Sequence, residues 1–285
     1  MISLTPKKIE EVPAALSAMT EKSKFVGGGT DFVIKLRMGR FHPDALCYLG
    51  HVQEYREIVM KGERLYVGGY ATMTEIGQHP LVKEYFPALK DAADDIGSLQ
   101  IRNNAVLAGN IGNVSPASDL IPVLYLYDAD MLVLGPEGER IVPIREMIPG
   151  PGRLSSAYNE AITGVLLSKT DEKTGFLKLG SRSKVTIARL DIALALKMEE
   201  RCIRDIRIYV GAIAITPLRF TEIEDYLRGK EPTEEHLLTA SQYLSRYIEE
   251  HVPVQFDRDY KVQAAKGAVA DIFERVLERE QGCGY

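Results

Sequence analysis

The chain has 285 residues, 45% of them hydrophobic and 26% charged, with a formal net charge of −5. That length fits one large domain or two ordinary ones, with enough chain to bury a real core. The negative balance, with lysines and arginines spread along the chain, argues against a nucleic-acid partner, and no apolar run is long enough to span a membrane.

The N-terminal stretch MISLTPKKIEEVPAAL has no apolar segment like that of a secretory signal, so a cytoplasmic location is expected. Cys47, Cys202 and Cys283 lie far apart with no CxxC, which argues against a disulfide framework and against a cysteine-ligated metal or iron–sulfur site made by this chain alone. Cys283 is expected to be a free, exposed thiol. The five histidines form no HExxH or similar pair, so metal chemistry within the chain is not expected.

In chain order, Lys24 to Val26 reads as a short strand running into VGGGTD (residues 26–31). Thr30 then opens an apolar-periodic run through Phe32, Val33 and Leu36, a helix start. Arg64 to Gly69 is a second strand ending in glycine. Thr72 with Glu75 makes a capping-box pattern for the next helix. Leu89 to Ile96 reads as helical and stops at Gly97-Ser98. Residues 102–113, RNNAVLAGNIGN, read as a loop, and Pro116 fits the first turn of a helix carrying Leu120, Val123 and Leu124. Met131 to Leu134, the turn at 135–138, and Arg140 to Val142 form a hairpin. The PGPG at 149–152 is a break.

From about Glu160 the texture changes. Ile162 to Leu167 and Gly175 to Leu179 read as strands, Thr186 to Met198 as a helix or a buried strand, and Asp205 to Ile215 as a strand. The end is helical, with Leu237, Leu244, Tyr247 and Ile248 on one face, then Val262, Ala265, Val269, Ile272, Phe273 and Val276 on another. The division falls near residue 172. An α+β first part with two Gly-rich loops precedes a small sheet followed by helices.

VGGGTD puts three residues without Cβ before a helix start. Its backbone N–H groups can converge on an anion, aided by the helix N-terminus, or it can be a plain tight turn. It is neither a GxxxxGK[ST] loop nor a GxGxxG fingerprint. A second small, amide-rich loop at Ala108 to Asn113 suggests a diphosphate gripped from two sides, or merely left-handed turns. Asp119 either accepts from a sugar hydroxyl or complements a helix dipole, and by itself the second reading is preferred. Lys178, Arg182 and Lys184 read as solvated strand residues. Asp94-Asp95 and Glu199-Glu200 are sequence neighbours whose side chains would diverge on a helix, so no acid–base pair is evident.

The order of VGGGTDFVIKLR, GSLQIRNNAVLAGNIGN, SPASDLIPVLYLYDA, GPG, FLKLGSRSKVTIA and VGAIAITPLR resembles the FAD-binding (medium) subunit of the molybdenum hydroxylases, the family of xanthine, carbon monoxide and nicotinate dehydrogenases. The resemblance spans nearly the whole chain. It implies a two-subdomain FAD-binding domain of the vanillyl-alcohol oxidase/MurB type over residues 1–172. A small α+β C-terminal flavoprotein domain of sheet plus helices would occupy residues 173–285. It further implies that Val26, Gly27, Gly28, Gly29, Thr30, Asp31, Phe32 and Val33 form the first pyrophosphate loop. Val106, Ala108, Gly109 and Asn110 would form the second. Asp119 would contact the cofactor, Ile96 and Ile101 would lie near the flavin ring, and Ile162 and Lys178 would line it. This chain has VLAGN where most relatives have TIGGN, so Val106 lacks a hydroxyl and Ala108 replaces a glycine. It has no Cys-rich insert for an additional cluster.

The same resemblance implies a division of labour. Hydroxylation would occur at a molybdenum cofactor on a large partner subunit. Electrons would pass through [2Fe–2S] clusters on a small one to FAD on this chain, and then to NAD or another acceptor. The PGPGR segment is similar to the GPGK element of xanthine-dehydrogenase-type subunits. The alternatives are a stand-alone FAD oxidoreductase of this fold, a scaffold subunit that has lost FAD, or a nucleotide- or phosphate-binding protein without a redox role.

Overall fold

The structure, a computed structural model, describes residues 1–150, 152–254 and 257–278. Pro151 of the PGPG segment and Cys283 lie outside the described residues. The strands are β1 (Ile2–Leu4), β2 (Lys24–Phe25), β3 (Ala45–Cys47), β4 (Ile58–Lys61), β5 (Arg64–Gly68), β6 (Asp130–Gly135), β7 (Gly138–Pro143), β8 (Ala161–Ser168), β9 (Lys173–Leu179), β10 (Leu190–Glu199), β11 (Cys202–Gly211) and β12 (Leu218–Arg219). The helices are α1 (Val12–Ser17), α2 (Phe32–Arg37), α3 (Met73–Gln78), α4 (Pro80–Tyr85), α5 (Pro87–Asp95), α6 (Leu99–Arg102), α7 (Leu107–Asn113), α8 (Leu120–Leu126), α9 (Ile144–Met147), α10 (Thr221–Leu227), α11 (Glu234–His251) and α12 (Arg258–Leu277). No helix of the described residues is long and apolar enough to cross a membrane.

The chain forms two compact units. The first comprises residues 1–81, 98–115 and 127–169; the second comprises 82–97, 116–126 and 170 onward. The first holds a parallel sheet in the order β1-β3-β2 and an antiparallel sheet in the order β4-β5-β8-β6-β7. Val12, Leu16, Cys47, Leu49, Tyr55, Tyr70 and Val106 pack in one core cluster of this unit. Burial in that core pushes the Cys47 thiol up to about 12, so it is a packing residue rather than a nucleophile. The expected capping box forms. Thr72 Oγ1 accepts from Glu75 N–H at 3.1 Å, and Glu75 Oε2 accepts from Thr72 N–H at 2.7 Å.

The second unit is an antiparallel sheet, β12-β11-β10-β9. Alternation assigns its faces. Leu190, Ile192, Leu194 and Leu196 of β10, with Ile206, Ile208 and Val210 of β11, join Leu244, Ile248, Ala265, Val269, Ile272 and Phe273 of α11 and α12 in the larger core. The opposite face carries Phe176, Asp191 and Tyr209. Tyr209 meets Tyr125 of α8 edge-on at 6.1 Å, and the Phe176 N–H donates to Asp91 Oδ2 of α5 at 3.3 Å. A sheet covered on both faces explains why β10 is so uniformly apolar.

Two sequence expectations give way and one open choice is settled. Residues 102–113 are a loop only over 103–106: α6 ends at Arg102 and α7 occupies Leu107–Asn113. Its glycines and asparagines are helical, and the left-handed residue is Val114, with φ 44°. Burial of Leu107 and Ile111 one turn apart overrides weak propensity there. Pro116 does not sit in the first turn of α8, which begins at Leu120, and Asp119 therefore precedes the helix rather than lying inside it. Thr186 to Met198 resolves as a strand from Leu190, because both of its faces are packed.

Candidate functional site

In the first unit, β2 leads into the triple glycine and α2 follows it. The reason for glycine differs at each position. A Cβ on Gly27 would come within 2.8 Å of Val106 Cγ2 and 3.2 Å of Gly109 Cα. A Cβ on Gly28 would overlap the Asn104 carbonyl. Gly29 adopts φ +75°, a conformation that L side chains rarely take. The two segments therefore touch backbone to backbone, and Val106, 5% exposed, fills the space between them. Tyr70 Oη donates to the Val26 carbonyl at 3.1 Å and fixes the entry to the loop.

The donors of this loop are uncommitted. Val26 N–H bonds Cys47 O and Val33 N–H bonds Gly29 O, but the N–H groups of Gly27 through Phe32 donate to no other group among the described residues. Six consecutive free donors, on a stretch only partly buried, form an acceptor-seeking backbone surface. In the second segment, Leu107 N–H is spent on Ala71 O (3.1 Å) and Ala108 N–H on Gly69 O (2.7 Å). Ala108 therefore has no N–H to offer a ligand, whereas Gly109 N–H, beside Gly27, donates to nothing described. Since α2 and α7 have six and seven residues, a helix dipole adds little to either segment. Asp31 accepts from Asn113 Nδ2 at 3.4 Å, and Lys35 Nζ donates to Asn113 Oδ1, which ties the end of α7 to the start of α2. Ile162 is buried on β8, while Ile101 on α6 is 38% exposed.

Ile96, Asp119 and Lys178 belong to the second unit. Lys178 is not the solvated strand residue its neighbours suggested. Its side chain is 6% exposed and Asp119 is 7% exposed; Nζ donates to Asp119 Oδ2 at 2.7 Å and to Asp95 O at 3.0 Å. Lys178 points to the face covered by α5 and α8, because it alternates with Leu177 and Leu179 of the α11–α12 face. Burial pushes the Asp119 carboxyl up to about 6, with Lys178 opposing the rise. Burial also raises Asp95. Ile96, the C-cap of α5, is buried next to Asp95.

Sequence reasoning missed Tyr70, Asp191 and Lys261. Asp191 is wholly buried on β10, its Oδ1 accepting from Gly211 N–H at 3.0 Å. Lys261 Nζ donates to Ala212 O at 2.6 Å. An aspartate inside the run LDIALAL is itself a signal, since a charge in an apolar strand needs a buried reason.

Comparison with known proteins identifies the family of the chain. Residues 2–169 match the FAD binding domain in molybdopterin dehydrogenase, and residues 176–276 match the CO dehydrogenase flavoprotein C-terminal domain. The chain is 26% identical to the nicotinate dehydrogenase FAD-subunit of Eubacterium barkeri, across 98% of this chain and 97% of that one. It is 27% identical to the xanthine dehydrogenase FAD-binding subunit of Escherichia coli O157:H7, across 73% of each. Quinoline 2-oxidoreductase from Pseudomonas putida 86 shares the fold with a TM-score of 0.89 at 21% identity, over 100% of this chain and 98% of that one. The free donor row at Gly27 to Phe32 fits what a bound diphosphate requires, while the glycines at 27 and 28 are set by close contact with Val106, Gly109 and the Asn104 carbonyl. The chain belongs to the family of FAD-binding domains of molybdopterin dehydrogenases, and it is an FAD subunit of the molybdenum hydroxylase type.

Proposed function

We propose that this subunit relays electrons from [2Fe–2S] clusters on a small partner to NAD or another acceptor, within a cytoplasmic three-subunit complex. The large partner carries the molybdenum cofactor, and the chemistry is xanthine dehydrogenase-like. FAD, when bound, supplies the step between one-electron carriers and a two-electron acceptor. The chain's own residues bind and orient it. The free N–H groups of Gly27 to Phe32 carry this reading, with Gly109 N–H as the donor of the second segment. Ala108 contributes its methyl or carbonyl rather than its N–H. Ile96, Ile101, Ile162, Asp119 and Lys178 are assigned to the cofactor by resemblance, together with Val106 and Asn110. Names of relatives such as the xanthine dehydrogenase FAD-binding subunit support the purine-type reading.

Purification with native partners, followed by anaerobic addition of NADH, tests the proposal. The expected result is one FAD per chain, a molybdenum-bearing large chain, a Cys-rich small chain, and bleaching of the flavin absorbance by NADH. Folded chain that takes up no FAD would favour the scaffold reading. Flavin that turns over a substrate without partners would favour the stand-alone oxidoreductase. Flavin that ignores NADH would remove NAD as the acceptor.

A further inference from the structure

Among the described residues, two buried side-chain oxygens have no hydrogen-bond partner, Asp119 Oδ1 and Asp191 Oδ2. Both sit in the second unit, and Asp119 pairs through its other oxygen with the Lys178 ammonium. Asp191 lies directly across from Lys178 on β9 and from Gly211 on β11. Cross-strand partners share a face, so Asp191 stands beside the lysine that Asp119 holds. The available cations are committed elsewhere. Lys178 Nζ bonds Asp119 Oδ2 and the Asp95 carbonyl, and Lys261 Nζ bonds the Ala212 carbonyl. A wholly buried carboxylate with one oxygen accepting nothing is costly. A carboxylic acid in that place needs one acceptor, and Asp119 Oδ1 lacks a donor.

We propose that Asp119 and Asp191 hold one proton between them, with Asp191 acting as a neutral carboxylic acid that positions the Asp119–Lys178 pair. Electrostatics agree. Asp191 is raised well above the ordinary carboxylate range, first by burial and then by the Asp119 charge, against smaller opposing effects of the Gly211 N–H, Lys178 and Lys261. Asp95, itself facing Arg275, Asp91 and Lys184, adds a further negative neighbour to Asp119. Asp191 also works through the backbone. It holds Gly211, while Lys261 holds Ala212 in a left-handed conformation of φ 61°, and the Ala212 N–H bonds Pro116 O at 3.1 Å. Pro116 starts the segment that delivers Asp119, so one acid fixes both the partner charge and the loop that carries it.

Unfolding of the full chain as a function of pH is the first test. A group protonated when folded and ionised when unfolded makes stability fall as pH rises. Above about pH 6, where Asp119 has ionised, wild type should lose about tenfold in folding constant per pH unit relative to Asp191→Asn. Parallel profiles overturn the proposal. An infrared carbonyl band of a protonated carboxyl at neutral pH, present in wild type and lost in Asp191→Asn, is also expected, and its absence from wild type overturns the proposal without any variant. A second arm rests on the flavin reading. Asparagine keeps both the acceptor for Gly211 and a donor for Asp119, so Asp191→Asn should keep FAD affinity within about twofold while Asp191→Ala loses about tenfold or more. Asparagine as damaging as alanine means that the carboxylate charge is required, and the proposal fails. Wild-type chain that binds no FAD strikes the flavin reading alone and leaves the pH profile to decide the proton.

Discussion

The residues assigned to the cofactor in the two units differ in their chemistry. The first offers backbone. Its assigned loop presents uncharged N–H groups, and its first two glycines exist because Asn104, Val106 and Gly109 press against them. The second offers buried charge, with Lys178, Asp119 and Asp191 held under α5 and α8. A backbone site tolerates changes of side-chain chemistry and fails on added volume. A charged site tolerates volume poorly and fails when one partner is deleted. Relatives at roughly one-quarter identity can therefore keep a donor row whose letters vary, since the donors are not side chains.

The largest expected effect breaks the charged half. Lys178→Met leaves Asp119 buried beside Asp191 without its ammonium, and should cost about 3 kcal/mol of unfolding free energy at neutral pH. The pH dependence gives the sign. Asp119 is raised when folded, so its ionisation removes stability as pH climbs from the ordinary carboxylate range to about 6. Without Lys178 that loss extends to higher pH, and the penalty measured by denaturant titration should be smaller at about pH 5 than at about pH 8. Equal penalties would mean that Asp119 keeps its charge by another route.

The backbone half should break next. Gly28→Ala meets the Asn104 carbonyl, which cannot swing away as a side chain would, and should cost about 2 kcal/mol with loss of FAD binding. Val106→Thr sharpens the comparison instead, because it adds a side-chain donor to a backbone site at nearly constant volume. If the hydroxyl reaches the cofactor, FAD should bind about fivefold tighter by flavin fluorescence titration, the worth of about one hydrogen bond. Weaker binding would show that Val106 serves only the packing against Gly27. The smallest effect is the control. Gly112 lies in α7 with open space where a Cβ would stand, so Gly112→Ala should stabilise by about 0.5 kcal/mol and leave FAD affinity unchanged.

Much of this was legible in the letters. The capping box at Thr72, the hairpin at 135–138 and the terminal helices carry local signals, and each forms as read. VGGGTD announced a backbone constraint but not its source. Part of the constraint is the protein's own Asn104 carbonyl, about eighty residues away in sequence, and such non-local contact has no local signature. Residues 107–113 were misread because Gly and Asn dominate propensity, whereas burial of Leu107 and Ile111 decides the outcome. Lys178 read as solvated for a similar reason. Its neighbours reveal alternation, and only the helices over the other face, drawn from residues 87–126, make that face an interior.

Those borrowed helices have a consequence for how the chain is made. α8 has every residue buried, and the strands it packs on, β10 and β11, begin at residue 190. During synthesis Leu120–Leu126 leaves the ribosome with α5 already made, but the strands it packs on are complete only after some eighty-five further residues have been added. Truncation after residue 172 would make that interval permanent. Such a fragment is expected to be recovered in aggregates or bound to chaperones, even though its own sheets are complete. For an expression experiment, the last hundred residues are thus the cover of a segment made long before them.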